Sequence, residues 1–288
     1  MKVWIDGRVV ERADARIPVT DHGLLYGDGV FEGIRIVGRR VFRLPDHLER
    51  MRTGAAALGL ELPGGVGAIE KIVLETARAH GDDEAYVRLI VTRGDGELGV
   101  DPSTCQGPRV ICIVDGIRLF PPERLARGID LVTSSWRRPP ADVLDPRVKS
   151  LNYLNSVLAK REARLRGADE ALLLNAAGRV AEAAVANLFA VVGGRLATPP
   201  PTEGALAGIT RASLLELAPE LGLEVAETPL GRFDLLGASE VFLSGSGAGI
   251  VPVASLDGAA IGEPGVHPTA DRLREAFGRF ALERGTPF

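Results

Sequence analysis

The feature that most constrains this chain is a recurring pattern of short β-rich arms joined by tight turns that call for glycine. "VWIDGRVV" turns at Asp6-Gly7 and "FEGIRIVGRRVFRL" at Gly38-Arg39; "EALLLNAAGRVAEA" turns at Ala177-Gly178 and "NLFAVVGGRLATPP" at Gly193-Gly194. Two-residue turns with left-handed dihedrals match the twist of antiparallel strands, so each stretch predicts a hairpin. Elsewhere the period becomes helical. Leu48, Met51, Ala55 and Leu58 share a face and stop near Gly59, and a second helix is predicted over 68–79. "AYVRLIVTRG", "RVICIVD" and "IDLVTSSW" read as strands, and "EVFLSGSGAGIVPV" as two strands around a glycine-rich loop. Helices follow over 152–165 and over "GITRASLLELAPELGL", with Thr210 as N-cap and Gly222 beyond the end. The fold class is mixed α/β in two halves. The proline-rich, charged "LFPPERLARG" is the expected linker, giving domains over 1–118 and 129–288 with residues 119–128 between them.

At 288 residues the chain can bury a large core, and its net charge of −4 gives no reason to expect nucleic acid or an anionic membrane as partner. No apolar run approaches the roughly 20 residues of a membrane span, and "MKVWIDGRVVERAD" has no secretory h-region. Cys105 and Cys112 fit neither a metal motif nor a disulfide framework and read as free thiols, so a cytoplasmic location is expected. His22, His47, His80 and His267 form no ligand pattern, so no metal site is expected.

Of 34 basic residues only Lys2, Lys71, Lys149 and Lys160 are lysines; the other thirty are arginines. Arginine can replace a surface lysine, but only lysine offers an amine that condenses with an aldehyde, and Lys149 in "DPRVKSLNYLN", with Arg147 and Tyr153 nearby, is a candidate for that chemistry. "LAGITRAS" places Gly208, Ile209 and Thr210 at a helix N-terminus, where free N–H groups and the helix dipole suit an anion. "SGSGAG", Ser244 to Gly249, is a second candidate cradle. Glu182 stands in the apolar "RVAEAAVANLF" and needs a partner or solvent. Arg50 and Arg88, the latter sharing a strand face with Tyr86, are candidate anion clamps. On the residues alone each also has a plainer reading: a surface lysine, a capped helix, a strand turn, an exposed acid, solvated arginines.

Taken in order along nearly the whole chain, "DHGLLYGDGVFEGIR", "FRLPDHLERM", "AYVRLIVTRGDGELGVDP", "DPRVKSLNYLN", "VAEAAVANLF", "LAGITR" and "EVFLSGSGAGIVPV" resemble the class IV (fold-type IV) aminotransferases that use pyridoxal 5′-phosphate. Within that class the chain looks most like the branched-chain amino acid aminotransferases. The resemblance implies a small N-terminal and a larger C-terminal domain with the site between them, and a homodimer or higher assembly in which N-terminal residues of one subunit complete the other's pocket. It implies a Schiff base between Lys149 and the cofactor aldehyde, with Lys149 also moving the proton at the substrate's α-carbon. Tyr153 would hydrogen-bond the cofactor's phenolic oxygen, Glu182 pair with its ring nitrogen and Leu206 pack on its ring. Arg50, Ile209, Thr210 and Ser246 would hold its phosphate. Tyr26, Phe31, Gly33, Tyr86, Arg88, Trp136 and Gly247 would line or bound the substrate pocket. Branched-chain L-amino acids and 2-oxoglutarate are the implied substrates. D-amino acid or (R)-amine transamination and an aminodeoxychorismate lyase remain alternatives on the same fold, the choice turning partly on whether Arg88 or Arg93 meets a substrate carboxylate. A non-catalytic binder of a phosphorylated metabolite is the alternative outside enzymes.

Overall fold

The computed structural model describes residues 1–117 and 120–288. In chain order the elements are β1 (Lys2–Ile5), β2 (Arg8–Glu11), α1 (His22–Tyr26), β3 (Gly29–Val37), β4 (Arg40–Phe42), α2 (Leu44–Ala57), α3 (Gly65–His80), β5 (Ala85–Thr92) and β6 (Arg109–Asp115). Then come α4 (Pro122–Arg127), β7 (Ile129–Arg137), α5 (Ala141–Leu144), α6 (Leu154–Leu165), β8 (Glu170–Leu174), β9 (Val180–Ala183), β10 (Asn187–Val192) and β11 (Arg195–Thr198). The chain closes with α7 (Ile209–Glu220), β12 (Val225–Glu227), α8 (Arg232–Leu236), β13 (Glu240–Gly245), β14 (Gly249–Leu256), β15 (Ala259–Ala260), α9 (Pro268–Glu283) and β16 (Gly285–Pro287).

All four expected hairpins are present: β1–β2, β3–β4, β8–β9 and β10–β11. Their turns use the left-handed region, with Asp6 and Gly7 at φ 49° and 84° and Gly193 and Gly194 at 57° and 81°. The helix expected over 68–79 is α3, longer at both ends. The expected linker begins at Leu119, which lies outside the described residues, and from Pro122 onward it forms α4.

The chain divides into two compact units: Met1–Ile117 with Val148–Asn152 and Phe280–Phe288, and Arg118–Arg147 with Tyr153–Arg279. The expected domains were unbroken stretches. The short segment around Lys149 joins the first unit because it runs along β3: Phe31 N donates to Lys149 O, Leu151 N to Gly29 O (both 2.9 Å), and Val30 bridges Ser150. The C-terminal residues join it because β16 pairs with β4.

The first unit is an antiparallel seven-stranded sheet, ordered β16-β4-β3-β5-β6-β1-β2. Leu48, Met51 and Ala55 of α2 and Ile69, Val73 and Ala77 of α3 pack with Ile34, Ile36, Leu89 and Val91 into its core. The second unit is a mixed nine-stranded sheet, with β12-β11-β10-β13-β14-β7-β8-β9 in order and β15 beside β14. Its β8 is buried along its whole length. Leu172 and Leu174 join Leu188, Val241, Leu243 and Val253 in one core. Ala171 and Leu173 pack with Ala159 and Ala163 of α6 in another, as strand alternation requires. Among the described residues no helix is long and apolar enough to cross a membrane.

Candidate active site

In the first unit, period two puts Phe31, Gly33 and their cross-strand neighbours Arg88 and Tyr86 on one face of β3 and β5. Tyr86 lies over Gly33 so closely that a Cβ there would fall 1.8 Å from the phenol oxygen, which is why this position carries glycine. The Arg88 guanidinium carbon sits 4.6 Å from the Phe31 ring centre, and Arg88 Nη2 donates to Tyr86 Oη at 3.4 Å. Lys149 reaches the same ring: its Nζ is 4.5 Å from the Phe31 centre, held there by the pairing of residues 149–151 with β3. Tyr26 ends α1, its hydroxyl accepting from Gly99 N at 2.9 Å.

The other face of β3 carries Glu32, fully buried beneath α2. Arg50 grips it with two parallel hydrogen bonds, Nε to Oε1 at 2.8 Å and Nη2 to Oε2 at 2.6 Å, and His47 Nδ1 lies 2.7 Å from Oε2. Burial alone would raise the Glu32 carboxyl, but Arg50 and His47 outweigh it and hold it at about 2. Burial depresses His47; Glu32 opposes this in part, and Arg50 and Lys149 add to it. His47 is therefore neutral near pH 7 and donates Nδ1–H to the carboxylate, which leaves Nε2 buried without a partner. Arg50 and Lys149 both lie close enough to His47 to disfavour its charge, while Arg147, two residues before Lys149, is exposed and bound to Asp145.

In the second unit, Glu182 on β9 is buried (3% exposed). Arg138 meets Oε1 through Nε at 3.1 Å and Nη2 at 2.5 Å, and Asn187 Nδ2 donates to Oε2 at 3.2 Å. Arg138 is anchored in turn by Ser156 Oγ at 3.1 Å and Asn155 Oδ1 at 3.3 Å. Asn187 also donates to Leu206 O at 2.8 Å, tying Glu182 to the segment that enters α7. The N-cap of α7 is Gly208, not Thr210, which lies in the first turn. A Cβ at Gly208 would come within 2.0 Å of Asn187 Oδ1, on a side chain held by two hydrogen bonds, which favours glycine there, and no side chain makes a capping hydrogen bond at this helix start. Ile209 and Thr210 are buried there, and Thr210 Oγ1 has no partner. Ser246 and Gly247 are half-buried in the β13–β14 loop, Tyr153 stands at the N-cap position of α6 without a side-chain capping bond, and Trp136 at the end of β7 is 44% exposed.

Residues 29–256 match the family described as Amino-transferase class IV. The chain belongs to the class IV aminotransferase family. A provisionally assigned branched-chain-amino-acid aminotransferase of Methanocaldococcus jannaschii is 46% identical over 277 residues, covering 96% of this chain and 95% of that one. The crystal structure of the Escherichia coli branched-chain amino acid aminotransferase superposes with a TM-score of 0.93 at 36% identity, covering 98% of this chain and 95% of the other. The branched-chain amino acid aminotransferase of Thermobaculum terrenum, in its PLP-bound holo form, superposes with a TM-score of 0.87 at 31% identity, covering 98% and 94%.

For a class IV aminotransferase, the choice between Arg88 and Arg93 that the sequence left open bears on the substrate, and the two arginines are held differently. The Arg93 guanidinium is consumed by Asp28, at 2.9 and 3.1 Å, and by the carbonyls of Leu58 and Gly59, both at 2.7 Å. Arg93 is a structural tie, whereas Arg88 keeps Nε buried and unpaired beside Phe31. Sequence reasoning missed four residues: Glu32, His47, Arg138 and Asn187. Glu32 and Glu182 alike are acids inside apolar runs, the one signal that could have flagged the first; Arg138 was hidden among thirty arginines.

Proposed function

We propose that this class IV aminotransferase binds pyridoxal 5′-phosphate and moves amino groups between branched-chain L-amino acids and 2-oxoglutarate. The carrying observation is the Phe31 ring, with the Lys149 amine at 4.5 Å and the Arg88 guanidinium at 4.6 Å. Amine chemistry and carboxylate recognition share one apolar floor. The residues present fit the cofactor. The glycine-capped start of α7 and the unpaired Thr210 hydroxyl suit a phosphate, and Glu182 offers a fixed, buried anion for a protonated ring nitrogen.

When bound, the cofactor supplies an aldehyde that condenses with amines and a ring that withdraws electrons from the substrate's α-carbon. In this proposal Lys149 holds the cofactor, then takes and returns the α-proton as general base. Arg50, Ile209 N–H, Thr210 and Ser246 hold the phosphate, Arg50 being oriented by Glu32. Tyr153 meets the phenolic oxygen, and Leu206 packs on the ring. Phe31, Gly33, Tyr86 and Trp136 receive an aliphatic side chain, with Tyr26 and Gly247 bounding the pocket. Arg88 turns from Phe31 toward the second carboxylate of glutamate, and the engagement of Arg93 by Asp28 argues against the D-amino acid reading. A homodimer belongs to the same proposal: Val19, Leu98 and Val100 of the first unit are 77%, 82% and 81% exposed, apolar side chains that a second copy would cover.

Initial rates with L-leucine, D-alanine and (R)-1-phenylethylamine as donors to 2-oxoglutarate test the substrate class. L-leucine should be preferred; a tenfold or greater preference for either of the others overturns it.

A further inference from the structure

Buried hydroxyls in the second unit are generally paired. Ser213 Oγ donates to Ile209 O at 2.9 Å, Thr198 Oγ1 to Leu188 O at 2.7 Å and Ser134 Oγ to Glu162 at 2.7 Å. Among the described residues, the buried side-chain atoms without a partner are arginine and histidine nitrogens, with two exceptions: Thr210 Oγ1 and Ser244 Oγ. Both residues are 1% exposed. An unpaired buried hydroxyl is destabilising, so two together call for a cause.

Their two elements, α7 and β13, pack against each other. Asn187 opposes Ser244 across β10 and β13, and Phe189 opposes Phe242. Alternation puts these four side chains on one face, and the two phenyl rings stack at 5.3 Å. Leu188, Ala190, Val241 and Leu243 point into the opposite core. Asn187 in turn lies against Gly208 and holds Leu206 O, so the start of α7 rests on the Asn187–Ser244 end of this face.

We propose that Ser244 is a further residue of the phosphate site at the start of α7, its hydroxyl donating to the anion that Thr210 also meets. A hydroxyl donor left without a protein acceptor matches a guest whose oxygens only accept. Ser244 is distinct from Ser246, the loop serine singled out by the sequence. The inference rests on reading this site as the cofactor's.

The test titrates full-chain protein, Ser244→Ala and Thr210→Ala with pyridoxal 5′-phosphate and with pyridoxal, which lacks the phosphate. Thermal unfolding is followed with and without inorganic phosphate. Ser244→Ala should weaken pyridoxal 5′-phosphate about tenfold or more and leave pyridoxal unchanged. Its melting temperature without ligand should hold or rise, and its gain with phosphate should shrink. If Thr210→Ala loses affinity and Ser244→Ala does not, Ser244 is only packing and the inference falls. Equal losses for both ligands also overturn it. If neither variant changes affinity, the phosphate reading of α7 falls with it. Should Ser244→Ala not fold, Ser244→Cys, nearly the same size with a weak donor, carries the same comparison.

Discussion

Glu182 shows how a single acid is prepared for one task. Arg138 occupies one carboxylate oxygen and Asn187 the other, so the cost of burial at 3% exposure is offset by hydrogen bonds. Glu182→Gln should bind cofactor but lose the anionic partner of the ring nitrogen. With about 1.5–3 kcal/mol for a hydrogen bond to a charged group, loss of the α-proton should slow by roughly 10- to 100-fold. An unchanged single-turnover rate would remove Glu182 from the ring nitrogen. Gly33 makes a steric prediction. Its alanine variant must displace the Tyr86 phenol, 1.8 Å from the new carbon. The atom in the way is the tip of a side chain, so the fold should survive while the KM for L-leucine rises; an unaltered KM would place the substrate away from this face. At this scale Lys149 and Glu182 were legible because each is chemically odd in its surroundings. Arg138 and Asn187 were not: their roles come from a partner 44 and 5 positions from them in sequence, and neither residue type is unusual alone.

Among the elements, the hairpins were legible because glycine and left-handed turns are local signals. The start of α7 was misread for an equally physical reason. A threonine before a helical run is a good N-cap by preference, but the chain turns helical two residues earlier, with Gly208 at the cap, so Thr210 falls in the first turn. The join between β3 and α2 makes a pH prediction. The folded pKa of His47 is depressed below the ordinary 6.5, so its contribution is full above that value and is lost as pH falls below it. Glu32, lowered from 4.5 to about 2, contributes fully above pH 4.5 and loses that contribution as pH falls toward 2. Urea unfolding from about pH 7.5 down to about pH 5 should show a decline that His47→Gln flattens, because glutamine donates to Glu32 without titrating. An identical decline in the variant would assign it to other groups.

For the molecule as a whole, the sequence reading drew two consecutive domains, whereas the compact units interleave. No composition shift marks Val148–Asn152, since its membership depends on backbone pairing with β3. Interleaving puts the catalytic lysine candidate on the sheet that also carries Phe31 and Arg88. The exposed Val19, Leu98 and Val100 predict that light scattering gives the mass of a dimer or a larger assembly; a monomer at micromolar concentration would contradict this part of the proposal. The central claim is that Lys149, alone among four lysines, carries the cofactor. Lys160 is already committed to Glu170 at 2.7 Å and to Asp169 O at 2.6 Å, and Lys2 to Glu11. Borohydride reduction of the holoenzyme, followed by intact mass and peptide mapping, should give one phosphopyridoxyl group per chain, on the peptide containing Lys149. The label on Lys71 or Lys160, or no label at all, would contradict it.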